Sequence, residues 1–111
     1  MKNKFYKLNV FSKPMKVCLI KEKYSNGRPC ILMLDKRGES ICDVSVNIPR
    51  ESVTDSSNCA FVDVNNCPWL IMFLIKNGIA MPTGIIGYSG FCEYPEYYFN
   101  LDKLINSEEV E

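Results

Sequence analysis

The sequence predicts an α+β fold, a mainly antiparallel sheet of about five to seven strands built on a central three-stranded meander, with one helix packed on it. Three observations carry this. Residues 15–49 hold three apolar-rich runs separated by the turn dipeptides Asn26-Gly27 and Arg37-Gly38. A single long apolar block, Trp69 to Ile75, lies between asparagines suited to start a helix and Gly78, suited to end one. The 111 residues contain no repeat or low-complexity linker, which makes residues 1–111 one domain with a single core.

Taking the elements in order, Phe5 to Phe11 alternates as a strand and ends at Ser12-Lys13-Pro14. In the meander, Asn-Gly favours a two-residue type I′ turn, in which both central residues need φ > 0. Two-residue turns would set Ser25 opposite Arg28 and Lys36 opposite Glu39. Ile20, Met33 and Cys42 then share a face with Glu22, Ile31 and Val44, continued by Val46 and Ile48, and that face is the expected core side. Leu19, Leu34, Ile41, Leu32 and the lysines fall on the other, partly wet side.

Pro49 closes the third strand. Residues 50–58 are polar and read as the longest loop, and Cys59 to Val64 as a short strand. Asn65 and Asn66 are candidate N-caps, Pro68 fits a first helical turn, and Gly78 is a stop, so the helix is expected over Cys67 to Asn77. Ile85 to Tyr88, Phe91 to Tyr94 and Glu96 to Leu101 read as strands, with an acidic tail at about 107–111.

The helix is apolar all the way round, although a helix lying on one sheet needs only a stripe of roughly 100°. Trp69, Met72, Phe73 and Lys76 are expected to face away from the sheet, covered by the Tyr94 to Phe99 strand, by a second copy in a homodimer, or by a partner. The candidate partner-binding residues are therefore Trp69, Met72 and Phe73 with Glu93, Tyr94, Glu96 and Tyr97.

Composition narrows the chemistry. Histidine is absent, which removes the ordinary general base near neutral pH and every Ser-His or Cys-His nucleophile pair. Glu93 and Glu96 flank Tyr94-Pro95 and could form a carboxylate pair, but they read as solvated charges on a turn. Gly84 to Gly90 lacks a phosphate-reaching lysine. No catalytic, cofactor-binding or metal-binding residue is assigned, and the protein is expected not to be an enzyme. The six cysteines show no CxxC spacing, and Met1 to Asn9 does not resemble a secretory leader. Buried reduced thiols and a cytoplasmic setting follow as expectations. No apolar run is long enough to span a membrane.

Charge is balanced overall but not along the chain. Residues 1–49 hold ten Lys and Arg against four Asp and Glu, and residues 50–111 hold three against nine. Lys2, Lys4, Lys7, Lys13, Lys16, Lys21 and Lys23 alternate with Phe5, Tyr6, Phe11 and Tyr24, a mixture of phosphate contacts and stacking surfaces. A net charge of zero and a pI near 6.3 argue against a dedicated nucleic-acid binder.

Tyr24-Ser25-Asn26-Gly27-Arg28, Ile31 to Asp35, Gly38, Val46-Asn47-Ile48-Pro49, Gly78-Ile79, Pro82-Thr83-Gly84 and Ser89-Gly90-Phe91 together resemble a family of small proteins, domain-of-unknown-function family 4313. The resemblance covers roughly Lys16 to Tyr94. It implies a phage, plasmid or conjugative-element setting and no reaction. The expected function is that of a non-enzymatic mobile-element accessory protein that binds a host protein stoichiometrically. Its foremost expected role is to inhibit a defence nuclease such as a CRISPR-Cas or restriction complex. The alternative is a single-stranded nucleic-acid-binding protein using the basic N-terminal strands.

Overall fold

The computed structural model describes residues 4–107. In chain order the strands are β1 (Tyr6–Leu8), β2 (Met15–Lys23), β3 (Pro29–Asp35), β4 (Ser40–Asp43), β5 (Ser45–Val46) and β6 (Cys59–Val62). Helix α1 (Leu70–Lys76) follows, then β7 (Ala80–Ser89), β8 (Cys92–Phe99), a 3-10 turn at Leu101–Lys103 and β9 (Ile105–Asn106). The class is the expected one, mostly antiparallel strands with one helix, but the nine described strands divide between two sheets. One sheet runs β1-β2-β3-β4, with β9 parallel to β2; the other runs β5-β6-β8-β7.

The division falls inside what the sequence suggests is one strand. Val44 is fully buried; its N–H donates to Ile31 O and its C=O accepts from Asp63 N, each at 2.9 Å. The chain thus leaves β3 and joins β6 within one residue. Apart from β9 and the short β5, the basic half of the sequence builds the first sheet and the acidic half the second.

Both turn glycines adopt left-handed backbone, Gly27 at φ 87° and Gly38 at φ 85°. The turns are nevertheless three residues long. Among the described residues no non-glycine has positive φ, so Asn26 cannot take its place in a type I′ turn. Instead Gly27 N–H donates to Tyr24 O at 2.8 Å and Tyr24 N–H to Arg28 O at 2.9 Å, a type I turn closed by a left-handed glycine. Asp35, Gly38 and Glu39 repeat this arrangement in the second hairpin.

The extra residue shifts β2 by one against β3. Leu19 opposes Met33 and Lys21 opposes Ile31, where Ile20 and Glu22 were expected. Val17 and Leu19, not Ile20 and Glu22, therefore enter the main core with Ile31 and Met33. An irregularity between Met33 and Leu34 absorbs the second turn's extra residue, so Met33 opposes Cys42 as expected. Cys18 and Ile20 face the opposite side, where Ile105 of β9 and Leu34 cover them in a small second cluster.

A β-branched residue in left-handed backbone costs about 1–3 kcal/mol. Nothing lies within 4 Å of a Cβ built on Gly27, so Gly27→Val should pay only this conformational term. An unfolding free energy lowered by that amount in urea melts is expected, and an unchanged midpoint would contradict the turn.

The helix starts later than expected. Asn65 and Asn66 do not cap it; Trp69 is the N-cap and makes no side-chain cap bond. Pro68 disfavours helical backbone at Cys67, and the preceding turn is held by Asp63, whose C=O accepts from Cys67 N at 3.1 Å and whose carboxylate accepts from Asn66 Nδ2 at 2.8 Å. The stop is as expected. Gly78 at φ 65° sends its N–H to Ile75 O, and Ile79 N–H reaches Leu74 O, which satisfies two helix-end carbonyls.

Leu70 and Leu74 are fully buried in the core between helix and sheets, with Phe99, Val62 and Ile79. The loop at 48–58 is clamped by Arg28, whose guanidinium donates to Ile48 O at 2.9 Å and Glu51 O at 2.8 Å. All six cysteines are free thiols. Burial, then the neighbouring Cys67, pushes the Cys42 thiol up to about 12. No described helix is long and apolar enough to cross a membrane.

Candidate functional site

Successive side chains of β8 alternate between the faces of the second sheet, so Glu96 and Tyr97 point opposite ways. Tyr97 enters the main core at 3 % exposure. Glu96 points to the other face and is completely buried. It is therefore no rim charge and no solvated turn residue, contrary to the sequence expectation. Thr54 N–H donates to its Oε2 at 2.8 Å, and the hydroxyls of Thr54 and Thr83 donate to its Oε1 at 2.6 and 2.5 Å. Burial raises the Glu96 pKa; these hydrogen bonds and the Arg28 charge outweigh it, so the carboxyl sits below the usual range. The carboxylate ties loop 50–58 to the sheet and is closed to substrate.

The helix residues of the expected surface separate in the same way. Phe73 is buried, its ring edge-on to Tyr6 at 6.4 Å. Trp69 is half-buried against Phe11, at 6.1 Å. Met72 projects into solvent. The ring partners are thus supplied by the N-terminal segment, with the core taking the rest. With Val10, Lys7 and Lys76, the helix borders a shallow groove of about 260 Å³. Glu93 is exposed and Tyr94 half-buried, both on β8. Among the described residues, no hydrogen bond or ring contact joins Trp69, Met72 or Phe73 to Glu93, Tyr94, Glu96 or Tyr97. The seven residues do not form one surface.

The structure instead exposes the β7–β8 hairpin. β7 is an edge strand, paired only with β8. Its register slips between Pro82 and Ile86, around Gly84 at φ 92°, and the same irregularity turns Thr83 toward Glu96. Beyond it, Ile85, Ile86 and Tyr88 are solvent-facing, and Phe91 at the turn is fully exposed. Tyr88 N–H donates to the Glu51 carboxylate at 2.8 Å, which covers part of the outer edge. These residues did not figure among the sequence candidates. The signal that could have found them is the absence of any charged residue from 77 to 92.

The expected nucleic-acid residues are partly engaged elsewhere. Tyr6 OH donates to Lys103 O, Lys4 Nζ to Leu104 O, and Tyr24 OH pairs with Ser45 Oγ. Burial, chiefly, pushes the Tyr24 phenol up to about 12. Phe5 and Phe11 remain exposed, while Lys2 and the acidic tail from 108 lie outside the described residues. No three Cys, Asp or Glu side chains gather as metal ligands among the described residues.

A family model described as a domain of unknown function (DUF4313) matches residues 18–110. The chain belongs to the DUF4313 family. No curated protein and no solved structure matches the sequence. The DUF4313 match takes in the whole second sheet, most of the first, the Glu96 cluster and the exposed hairpin; it begins within β2, so β1 lies outside it.

Proposed function

We propose that this DUF4313 protein is a non-enzymatic accessory protein of a mobile genetic element. In this reading it acts in the bacterial cytoplasm by stoichiometric binding to a host defence nuclease, a CRISPR-Cas or restriction complex, and docks through the β7–β8 hairpin. The observation that carries the reading is the uncharged edge strand β7, with Ile85, Ile86 and Tyr88 in solvent beside Phe91. Edge strands are ordinarily guarded by charge, and the part of β7 that Glu51 leaves open offers main-chain pairing and apolar contact to a partner strand. Aromatic residues are also the types enriched at interface centres. Glu51, on Tyr88 N–H, and the exposed Glu93 put negative charge at the margin of this hairpin, which suits a target whose channel is basic because it holds nucleic acid. The setting among mobile elements comes from the family resemblance.

The test mixes the protein with a purified CRISPR-Cas effector loaded with guide RNA and measures co-elution and target cleavage. The expected result is an equimolar complex and suppressed cleavage. Phe91→Asp should weaken both by about tenfold or more, the scale of an interface hot spot, with an unchanged denaturation midpoint. Cleavage untouched at stoichiometric excess both for this effector and for a purified restriction complex, or a Phe91→Asp variant that inhibits fully, would overturn the reading.

A further inference from the structure

On the first sheet four cations gather round one cavity, and only one of them, Arg37, has a carboxylate partner. β1 and β2 pair antiparallel with Lys7 directly opposite Lys16. Like charges directly opposed on a sheet repel, which costs stability unless something anionic lies between them. The turn after β3 brings Lys36 and Arg37 to the same end, and the four cations line one open cavity of about 550 Å³ with Pro14, Met15 and Asp35. Among the described residues none of the three lysines is in an ion pair.

Asp35 does not neutralise them. Its Oδ1 accepts from Arg37 N and Glu39 N, both at 2.9 Å, and its Oδ2 lies 3.7 Å from the Arg37 guanidinium. Those bonds, the one from Glu39 N first, hold its carboxyl below the ordinary range. It fastens the turn through Oδ1, and its charge offsets one of the four cations, which leaves the lining net positive. Arg37 also meets Glu39 at 3.2 Å, but its side chain is 77 % exposed and free to extend.

We infer that this cavity binds a chain of linked phosphates, carried by a free polyphosphate such as a nucleoside triphosphate or by the backbone of a single strand. The cations sit on or just beyond three neighbouring strands, each spaced about 4.8 Å from the next, so the lining spans about 10 Å. One phosphate could not reach across it, whereas two or three in series can. The volume falls in the range of small-ligand sites, and Pro14 and Met15 give the wall an apolar strip on which a sugar or base can rest. The site is independent of the β7–β8 hairpin and of the protein-binding reading.

The test follows the fluorescence anisotropy of a labelled oligothymidylate against the full-length protein, with inorganic tripolyphosphate and ATP as competitors. Binding is expected to weaken with salt, with a log–log slope of about −2.8 for four cations on a single strand. Lys7→Gln with Lys16→Gln should cut affinity at least tenfold and reduce the slope to about −1.4. Both side chains are exposed, so the fold should hold, and relief of the Lys7–Lys16 repulsion should leave the denaturation midpoint equal or higher. Should that double variant misfold, Lys36→Gln on the turn gives the same reading. Lys21→Gln, at the other end of β2, should change nothing. Oligonucleotide binding much tighter than tripolyphosphate identifies a strand as the ligand; equal or weaker binding identifies a free polyphosphate. Absence of binding by all three probes at low salt, or a double variant that binds as wild type does, overturns the inference.

Discussion

Glu96→Ala should lower the folding free energy by about 3 kcal/mol, the scale of removing one member of a buried, charge-assisted network. The substitution removes the fully buried carboxylate that Thr54 N–H and the hydroxyls of Thr54 and Thr83 all donate to, although Thr54 itself is exposed and can turn to water. Glu96→Gln keeps the volume but turns an amide N–H₂ toward donors, at a smaller cost of about 1–2 kcal/mol.

The pH dependence separates loss of charge from loss of packing. The folded-state pKa of Glu96 is depressed, so its ionisation stabilises the fold above the ordinary glutamate pKa of about 4.3. That contribution is lost as pH falls through the lower folded value. Urea midpoints of wild type and Glu96→Gln should therefore differ at neutral pH and converge in acid. A gap that stays constant with pH would mean that the folded protein does not hold this carboxyl ionised.

The second large effect is a pair of opposed substitutions. Phe61 is 1 % exposed, and a Cβ built on Gly87 would fall 2.6 Å from its ring, closer than real side chains come. Phe61→Ala should cost about 3–5 kcal/mol for lost burial and the cavity left behind. Gly87→Ala should cost about 1–3 kcal/mol for overpacking, because the buried ring has little room to retreat. In the double variant the added methyl occupies space the ring has vacated, and the combined loss should fall short of the sum by about 1 kcal/mol or more. Strict additivity in denaturant melts would show that the ring does not lie over Gly87.

What the sequence reveals divides by range. Gly27, Gly38 and Gly78 mark their turns and the helix end because each answers a local backbone demand. Asn26-Gly27 does not reveal its loop length, since both a two-residue and a three-residue hairpin accept that dipeptide. In the folded chain Asn26 Nδ2 reaches Asn47 Oδ1 at 3.1 Å and Arg28 grips the carbonyls of Ile48 and Glu51, contacts some twenty residues away. One residue of slip moves Leu19 in and Glu22 out. Glu96 misleads for the same reason. Beside Glu93 it looks like surface charge, and its partners Thr54 and Thr83 lie on a distant loop and on another strand. The all-round apolar helix signals cover on a second side, and the structure supplies it only in part: Tyr6 and Phe11 return from the far end of the chain to Phe73 and Trp69, while Met72 and Ile75 stay exposed.

The single residue at which the chain changes sheets bears on how the molecule comes apart. Val44 is hydrogen-bonded to β3 on one side and, through Asp63, to the end of β6 on the other, with no intervening linker to absorb a relative movement. Neither sheet can peel away as a separate unit without breaking backbone bonds of the other and opening the shared core to water. Partial unfolding at this junction is thereby penalised from both sides, and the two sheets form a single cooperative unit despite their separate topology.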